Sequence, residues 1–290
     1  MSRLAPVLST TRGLVASSLR TSLVDGPGNR HVLFLQGCNF DCTACHNPST
    51  IAVCDDCGLC VGECPLDALS MSEGRVVFHL DRCDGCDICI KVCPSNSSPM
   101  AQETSVEQVI DRLRADAAFL SGITITGGEP TLQLDFLIAL FTAIKEDPAL
   151  AGLTTLVDTN GTLSPDGWER LSPVLDGAMV DLKAGTPDLH RTLTGHDVTP
   201  VYESIRWLHD HGKLAEVRLL VVEGVTDTDE ELTAWAAFVA SVSPSIPVRL
   251  MAFRHDGTRE AARAWPETSG EGLARVRDHL TRAGLTAVSV

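Results

Sequence analysis

The residues best suited to chemistry in this chain are its 11 cysteines. Cys38, Cys42 and Cys45 are spaced CxxxCxxC. Cys54, Cys57, Cys60 and Cys64, and again Cys83, Cys86, Cys89 and Cys93, are spaced CxxCxxCxxxC, each run followed by a proline, Pro65 or Pro94. No cysteine is left over. Thiolates bind soft metals, and CxxC spacing in a chain with no sustained apolar segment at its start points to metal rather than disulfides. The natural inventory is one [4Fe–4S] cluster on three thiolates with an open iron, and two clusters on four thiolates each. The competing readings are a zinc site at the first group completed by His46 and two zinc sites at the others; zinc knuckles rarely repeat this four-cysteine run.

A second set of chemistry-bearing residues falls at the ends of expected strands. Gly127 and Gly128 allow close backbone approach, and the Glu129 carboxylate after them suits an ammonium group; a plain strand-to-helix turn is the simpler alternative. Asp158, Thr159 and the turn pair Asn160–Gly161 end another strand, Asp181 and Lys183 a third, and Arg218 lies on a fourth, where a rim salt bridge is its simpler reading.

These residues need a scaffold, and after residue 100 short β-rich runs alternate with amphipathic helical stretches, the pattern of βα units on a parallel sheet. Strands are expected at 31–36, 123–126, 154–158, 178–182, 216–222 and 248–253, with a last one at 286–290. Helix starts are legible: Ser105 with Gln108 forms a capping box, and Ser164–Pro165 and Thr186–Pro187 place a cap before a first-turn proline. Six such units predict a partial barrel. Residues 49–100 break the rhythm with eight cysteines, few apolar residues and several turn formers, and read as an insertion held by its metal. The barrel is then built from 1–48 and 101–290.

The chain has 44% hydrophobic residues and a formal charge of −15. The first supports a large core, and the second lacks the basic stripe that nucleic-acid binding requires. No apolar run approaches the roughly 18 residues of a membrane span, so no membrane is expected. An arginine- and serine-containing start with no acid before Asp25 is a weak transit-peptide pattern; without an export signal the chain is placed in the cytoplasm.

The loop Gly37–Cys38–Asn39–Phe40–Asp41–Cys42–Thr43–Ala44–Cys45–His46–Asn47–Pro48 resembles the cluster loop of the radical S-adenosylmethionine (SAM) superfamily. Val24–Asp25–Gly26–Pro27–Gly28–Asn29–Arg30 and the His46–Asn47 pair resemble the glycyl radical enzyme activases, the group of pyruvate formate-lyase activating enzyme. Stretches 119–160 and 177–220 resemble its YjjW type. The resemblance spans nearly the whole chain and implies an α/β fold: a partial (β/α)6 TIM-like radical SAM barrel with an inserted bacterial-type two-cluster ferredoxin domain. It implies three [4Fe–4S] clusters, one binding SAM and two auxiliary. Cys38, Cys42 and Cys45 would hold the first. By the ferredoxin pattern, Cys54, Cys57, Cys60 and Cys93 would hold the second, and Cys83, Cys86, Cys89 and Cys64 the third.

In such a family Gly127, Gly128 and Glu129 would take the SAM amino group. Asp158, Thr159 and Asp181 would serve its carboxylate through a monovalent cation, with Lys183 and Arg218 meeting that carboxylate. His255 stands near the position of a family histidine, with Arg254 at the point itself, and Ala44 replaces the usual aromatic before the third cysteine. The activity implied is reductive cleavage of SAM to methionine and a 5′-deoxyadenosyl radical, which abstracts a glycine Cα hydrogen from a partner glycyl radical enzyme. A flavodoxin or ferredoxin-type reductant and a monomeric state are expected. Two other functions fit the same residues: radical SAM chemistry on a different substrate, or an iron–sulfur electron-transfer or partner-binding protein with an inactive SAM site.

Overall fold

The computed structural model describes residues 11–290, so the first ten residues of the expected barrel segment lie outside the described residues. A single nine-stranded sheet organises the chain. Its parallel part runs β2 (Arg30–Leu35), β6 (Gly122–Gly127), β7 (Thr154–Thr159), β8 (Gly177–Asp181), β9 (Leu214–Val221), β10 (Val248–Ala252) and β11 (Val288–Ser289), each bonded to the next. All seven expected strands are present within a residue or two of their expected bounds, except that β11 is two residues long.

Helices cross between these strands: α2 (Val106–Asp116), α3 (Leu134–Glu146), α4 (Pro165–Leu171), α5 (Pro187–Thr194), α6 (Thr199–Asp210), α7 (Asp229–Val242) and α8 (Gly270–Arg282). The expected caps form. Ser105 accepts from the Gln108 amide and Gln108 accepts from the Ser105 amide, while Ser164 and Thr186 accept from the amides of Gly167 and Leu189. Each cap satisfies an otherwise orphaned donor and so fixes where the helix starts. The outer face of the strands, with Leu33, Ile123, Ile125, Val157, Val180, Val217, Leu219 and Leu250, packs on helix residues such as Leu137, Phe141, Trp168 and Trp235 in one continuous core.

The sheet also extends past β2 by two antiparallel strands that the sequence reading lacked, β1 (Arg12–Ser22) and β5 (Gln102–Ser105). β1 is mostly exposed beyond Ala16, and all four residues of β5 are polar, with Thr104 and Ser105 buried. β1 bonds to β2 and β5 bonds to β1, and neither strand carries a regular apolar alternation that would mark it in the sequence.

Residues 52–96 contribute no strand to this sheet. They form a hairpin, β3 (Leu69–Ser72) and β4 (Arg75–Phe78), and one helical turn, α1 (Ile88–Lys91). Glu73 and Gly74 both have positive φ, the backbone of a two-residue hairpin turn. No helix among the described residues is long and apolar enough to cross a membrane.

Candidate active site

Inside the curve of the sheet, residues from β2 to β10 line a cavity of about 360 Å³ at the C-terminal ends of the strands, where α/β sheets place ligands. Arg30, fully buried at the N-terminal ends of β2, β6 and β7, donates to Thr124 Oγ1 at 2.7 Å, Thr154 Oγ1 at 2.8 Å and the Ile123 carbonyl at 2.6 Å and ties these strands together. Desolvation lowers this guanidinium to about 10.

The three-cysteine loop leaves β2 through Gly37, whose φ of +100° suits glycine. Backbone bonds tie it down on several sides: Gly37 to Thr50 at 2.8 Å, Cys38 to Ile51 at 2.9 Å, Asp41 to Thr194 at 3.0 Å and Thr43 to Leu193 at 2.9 Å. Phe40, buried, stacks on His196 with ring centroids 5.1 Å apart. Arg259 pairs with Asp41 from the loop after β10. Gly128 presses against this loop so closely that a β-carbon there would collide with the carbonyls of Gly37 and Thr50. The Glu129 amide donates to Gly37 at 2.7 Å.

Cys38, Cys42 and Cys45 all line the cavity. Burial pushes the Cys38 thiol up to about 12, Cys42 to about 11 and Cys45 upward as well, while Lys183 opposes the shift at Cys42 and Cys45. Three thiolates in so dry a place need a metal to compensate their charge, which fits a cluster site.

Opposite them stands a charged set. Arg218, buried on β9, pairs with Asp158 at 3.0 Å and with Glu216 at 2.6 Å, and Lys183 pairs with Asp181 at 2.6 Å. Burial opposes the charges of Lys183 and Arg218, but the acids around them overcome it and hold both above their usual range. Burial lifts the Asp158 carboxyl to about 6 against the pull of Arg218. Asp158 Oδ2 also accepts from Thr126 at 3.1 Å, yet its buried Oδ1 has no partner. An acceptor left unsatisfied in a cavity wall fits an incoming ammonium or cation.

Of the other expected site residues, Gly127, Gly128, Thr159, Asp181 and Lys183 line the cavity, while Glu129 and His255 do not. Glu129 is buried behind the wall and accepts from Thr131 N at 3.0 Å, Thr131 Oγ1 at 2.5 Å, Thr159 Oγ1 at 2.8 Å and Asn160 N at 2.7 Å. Burial raises its carboxyl and these bonds oppose the shift. It bolts the ends of β6 and β7 together. His255 Nε2 lies 2.8 Å from the Trp265 carbonyl, and Arg254 donates to the Thr268 carbonyl at 2.7 Å. His46 Nε2 is 3.1 Å from the Arg254 carbonyl, which ties it to a protein partner rather than to a fourth metal position.

Residues 32–236, some 70% of the chain, match the radical SAM superfamily. The pyruvate formate-lyase-activating enzyme of Streptococcus mutans is 32% identical over 238 residues, covering 79% of this chain and 73% of that protein. The chain belongs to the radical SAM activating enzymes. The benzylsuccinate synthase activating enzyme of Thauera aromatica is 31% identical over 255 residues, 80% of this chain and 76% of that one. Among solved structures, a radical SAM methyltransferase from Sphaerobacter thermophilus shares the fold with a TM-score of 0.56 and 16% identity, over 96% of this chain and 77% of that one. Family membership implies a [4Fe–4S] cluster and SAM, and the thiols and the unpartnered Asp158 oxygen suit them.

This activating enzyme has two more cysteine-lined hollows. Cys54, Cys57, Cys60 and Cys93 border one, Cys64, Cys83 and Cys86 border the other, and Cys89 borders both. The Ser97 amide donates to Cys93 Sγ at 3.4 Å and the Ala68 amide to Cys64 Sγ at 3.2 Å. Among the described residues no three Cys, His, Asp or Glu groups converge on a point suited to a single metal ion.

Several further residues line the cavity. Asn160 donates to Asn39 at 2.8 Å and so links β7 to the cysteine loop. Leu193, Thr194, Val222, Arg249 and Met251 also line the wall. Strand alternation would have selected Arg249 and Met251; nothing local marks Leu193 and Thr194, which reach the site through the end of α5.

Proposed function

We propose that this protein installs a glycyl radical on a partner glycyl radical enzyme, in the YjjW type of activase on the likeness of stretches 119–160 and 177–220. The observation that carries the reading is the single cavity in which three loop thiols face Asp158, Asp181, Lys183 and Arg218. When bound, a [4Fe–4S] cluster on Cys38, Cys42 and Cys45 supplies the electron that splits SAM into methionine and a 5′-deoxyadenosyl radical. The protein's part is positioning. Lys183 and Arg218 hold the SAM carboxylate, Asp158 Oδ1 accepts its ammonium or a monovalent cation shared with Thr159 and Asp181, and the Gly127–Gly128 backbone admits the ligand closely.

Residues 49–100 form, in this reading, a two-cluster ferredoxin-like insertion between the barrel segments 1–48 and 101–290. The cross-paired sets Cys54, Cys57, Cys60, Cys93 and Cys64, Cys83, Cys86, Cys89 pass electrons from a flavodoxin or ferredoxin; the sharing of each hollow by cysteines of both runs supports that pairing. The protein is placed in the cytoplasm as a monomer. The test is anaerobic reconstitution to about twelve irons per chain, reduction with dithionite in the presence of SAM, and assay of methionine and 5′-deoxyadenosine. Both products are expected from the wild type and neither from Cys42→Ala. Fully loaded protein that makes no deoxyadenosine, with or without a glycyl radical enzyme, would refute the proposal.

A further inference from the structure

Arg249 is the cavity residue with no assigned task. On β9 and β10 the side chains alternate: Val217, Leu219 and Val221, with Val248 and Leu250, are buried on the helix side, while Arg218, Leu220 and Val222, with Arg249 and Met251, line the cavity. The register sets Asp181 beside Arg218 and Arg218 beside Arg249, making one row across β8, β9 and β10, with Leu220 and Met251 paired above it. Arg218 already pairs with Asp158 at 3.0 Å and with Glu216 at 2.6 Å. The half-buried Arg249 side chain has no hydrogen-bond or ion-pair partner among the described residues.

The acids that line the cavity are already engaged: Asp158 by Arg218, Asp181 by Lys183, and Asp25 by the Ser22 hydroxyl at 2.5 Å. A guanidinium set in a partly apolar wall of Leu220, Val222 and Met251, with no acid of its own, is built for a carboxylate that arrives with a ligand. SAM brings one carboxylate, and in the proposed function Lys183, just past β8, and Arg218, on β9, already serve it. Met251, 37% exposed, and Val24, 69% exposed, also line the cavity and mark its open side, where a polypeptide would come in.

Building on the proposed protein substrate, we infer that Arg249 selects an acidic side chain flanking the glycine in the incoming polypeptide loop. It is a specificity-determining residue, fixing which loops seat in the cavity.

The test is peptide binding to the reconstituted full-length protein with SAM present, so it reads recognition without chemistry. The probes are fluorescent heptapeptides centred on glycine, in matched sets that place Asp, Asn or Lys at each flanking position. For at least one position the wild type is expected to bind the Asp peptide about tenfold more tightly than the Asn peptide, the value of one charge-assisted pair. Arg249→Gln should erase that preference, Arg249→Lys should keep part of it, and Arg249→Glu should turn it toward the Lys peptide at the same position. A merely structural arginine would not produce that inversion. An Asp preference that persists in Arg249→Gln, or no preference at any position in the wild type, overturns the inference. So does a loss of SAM retention in Arg249→Gln with the peptide preference intact, which would assign the residue to the SAM carboxylate. Failure of the proposed function shows separately, as absence of deoxyadenosine from the wild type.

Discussion

The barrel and the cysteine-rich stretch at 49–100 are stabilised in opposite ways. In the barrel, Leu33, Ile125, Leu137, Phe141, Trp168 and Val217 are all fully buried in one core. Between residues 52 and 96 the buried apolar residues are only Cys60, Ala68 and Leu69, while Val53, Leu59, Leu66, Met71 and Leu80 are exposed. The first region has a continuous apolar core to stabilise it. The second has too little to offset the entropy of ordering some 45 residues at about 1–2 kcal/mol each, a shortfall that the clusters of the proposed function would make up.

The sharpest way to break this comparison is to remove one thiol from each region. Cys42→Ala should abolish deoxyadenosine formation with little change in thermal stability, whereas Cys86→Ala should lose about four irons and loosen the stretch around it; iron counts and melting curves would show both. A hardly smaller effect is expected on stripping all metal. Hydrogen exchange should then find β2 and β6 protected and residues 52–96 exchanging freely, and equal protection in both regions would end the contrast. Next comes Leu137→Ala, which should cost about 2–5 kcal/mol by denaturant titration, against about 1 kcal/mol or less for Val77→Ala in the half-buried β4.

Acid acts on the cavity through Asp158. Burial, opposed by Arg218, raises the Asp158 carboxyl to about 6, so it loses its charge as pH falls through that value. SAM retention should therefore weaken about tenfold from pH 7 to pH 5, by equilibrium dialysis. Asp158→Asn should flatten the profile, and iron content over this range should not depend on Asp158. The smallest effect sharpens the barrel side alone: Ser105→Ala removes the capping box of α2 and should cost about 1 kcal/mol of stability.

The parallel strands were legible because they are buried on both faces and read as short apolar runs. The caps were legible because they depend on residues three apart. β1 and β5 were not, since their ladder is made with residues distant in sequence. Glu129 shows the same limit at the site. Its position after two glycines suits a ligand contact, but four donors from Thr131, Thr159 and Asn160 turn it into a brace. Which neighbours reach a carboxylate first is decided by how β6 and β7 are laid side by side.

Cysteine spacing by itself pointed to the kind of chemistry expected here, because CxxxCxxC and CxxCxxCxxxC are local patterns, but which cysteines share a hollow, such as Cys93 with Cys54, Cys57 and Cys60, was decided by the fold. Strand periodicity, likewise local, determined the fold class. Only the tertiary structure decided which charges meet. Asp158, Asp181, Lys183, Arg218 and Arg249 come from four separate strands or their ends, and sheet register and burial alone leave Arg218 between Asp158 and Glu216, Asp158 Oδ1 unpartnered and Arg249 facing the cavity without an acid.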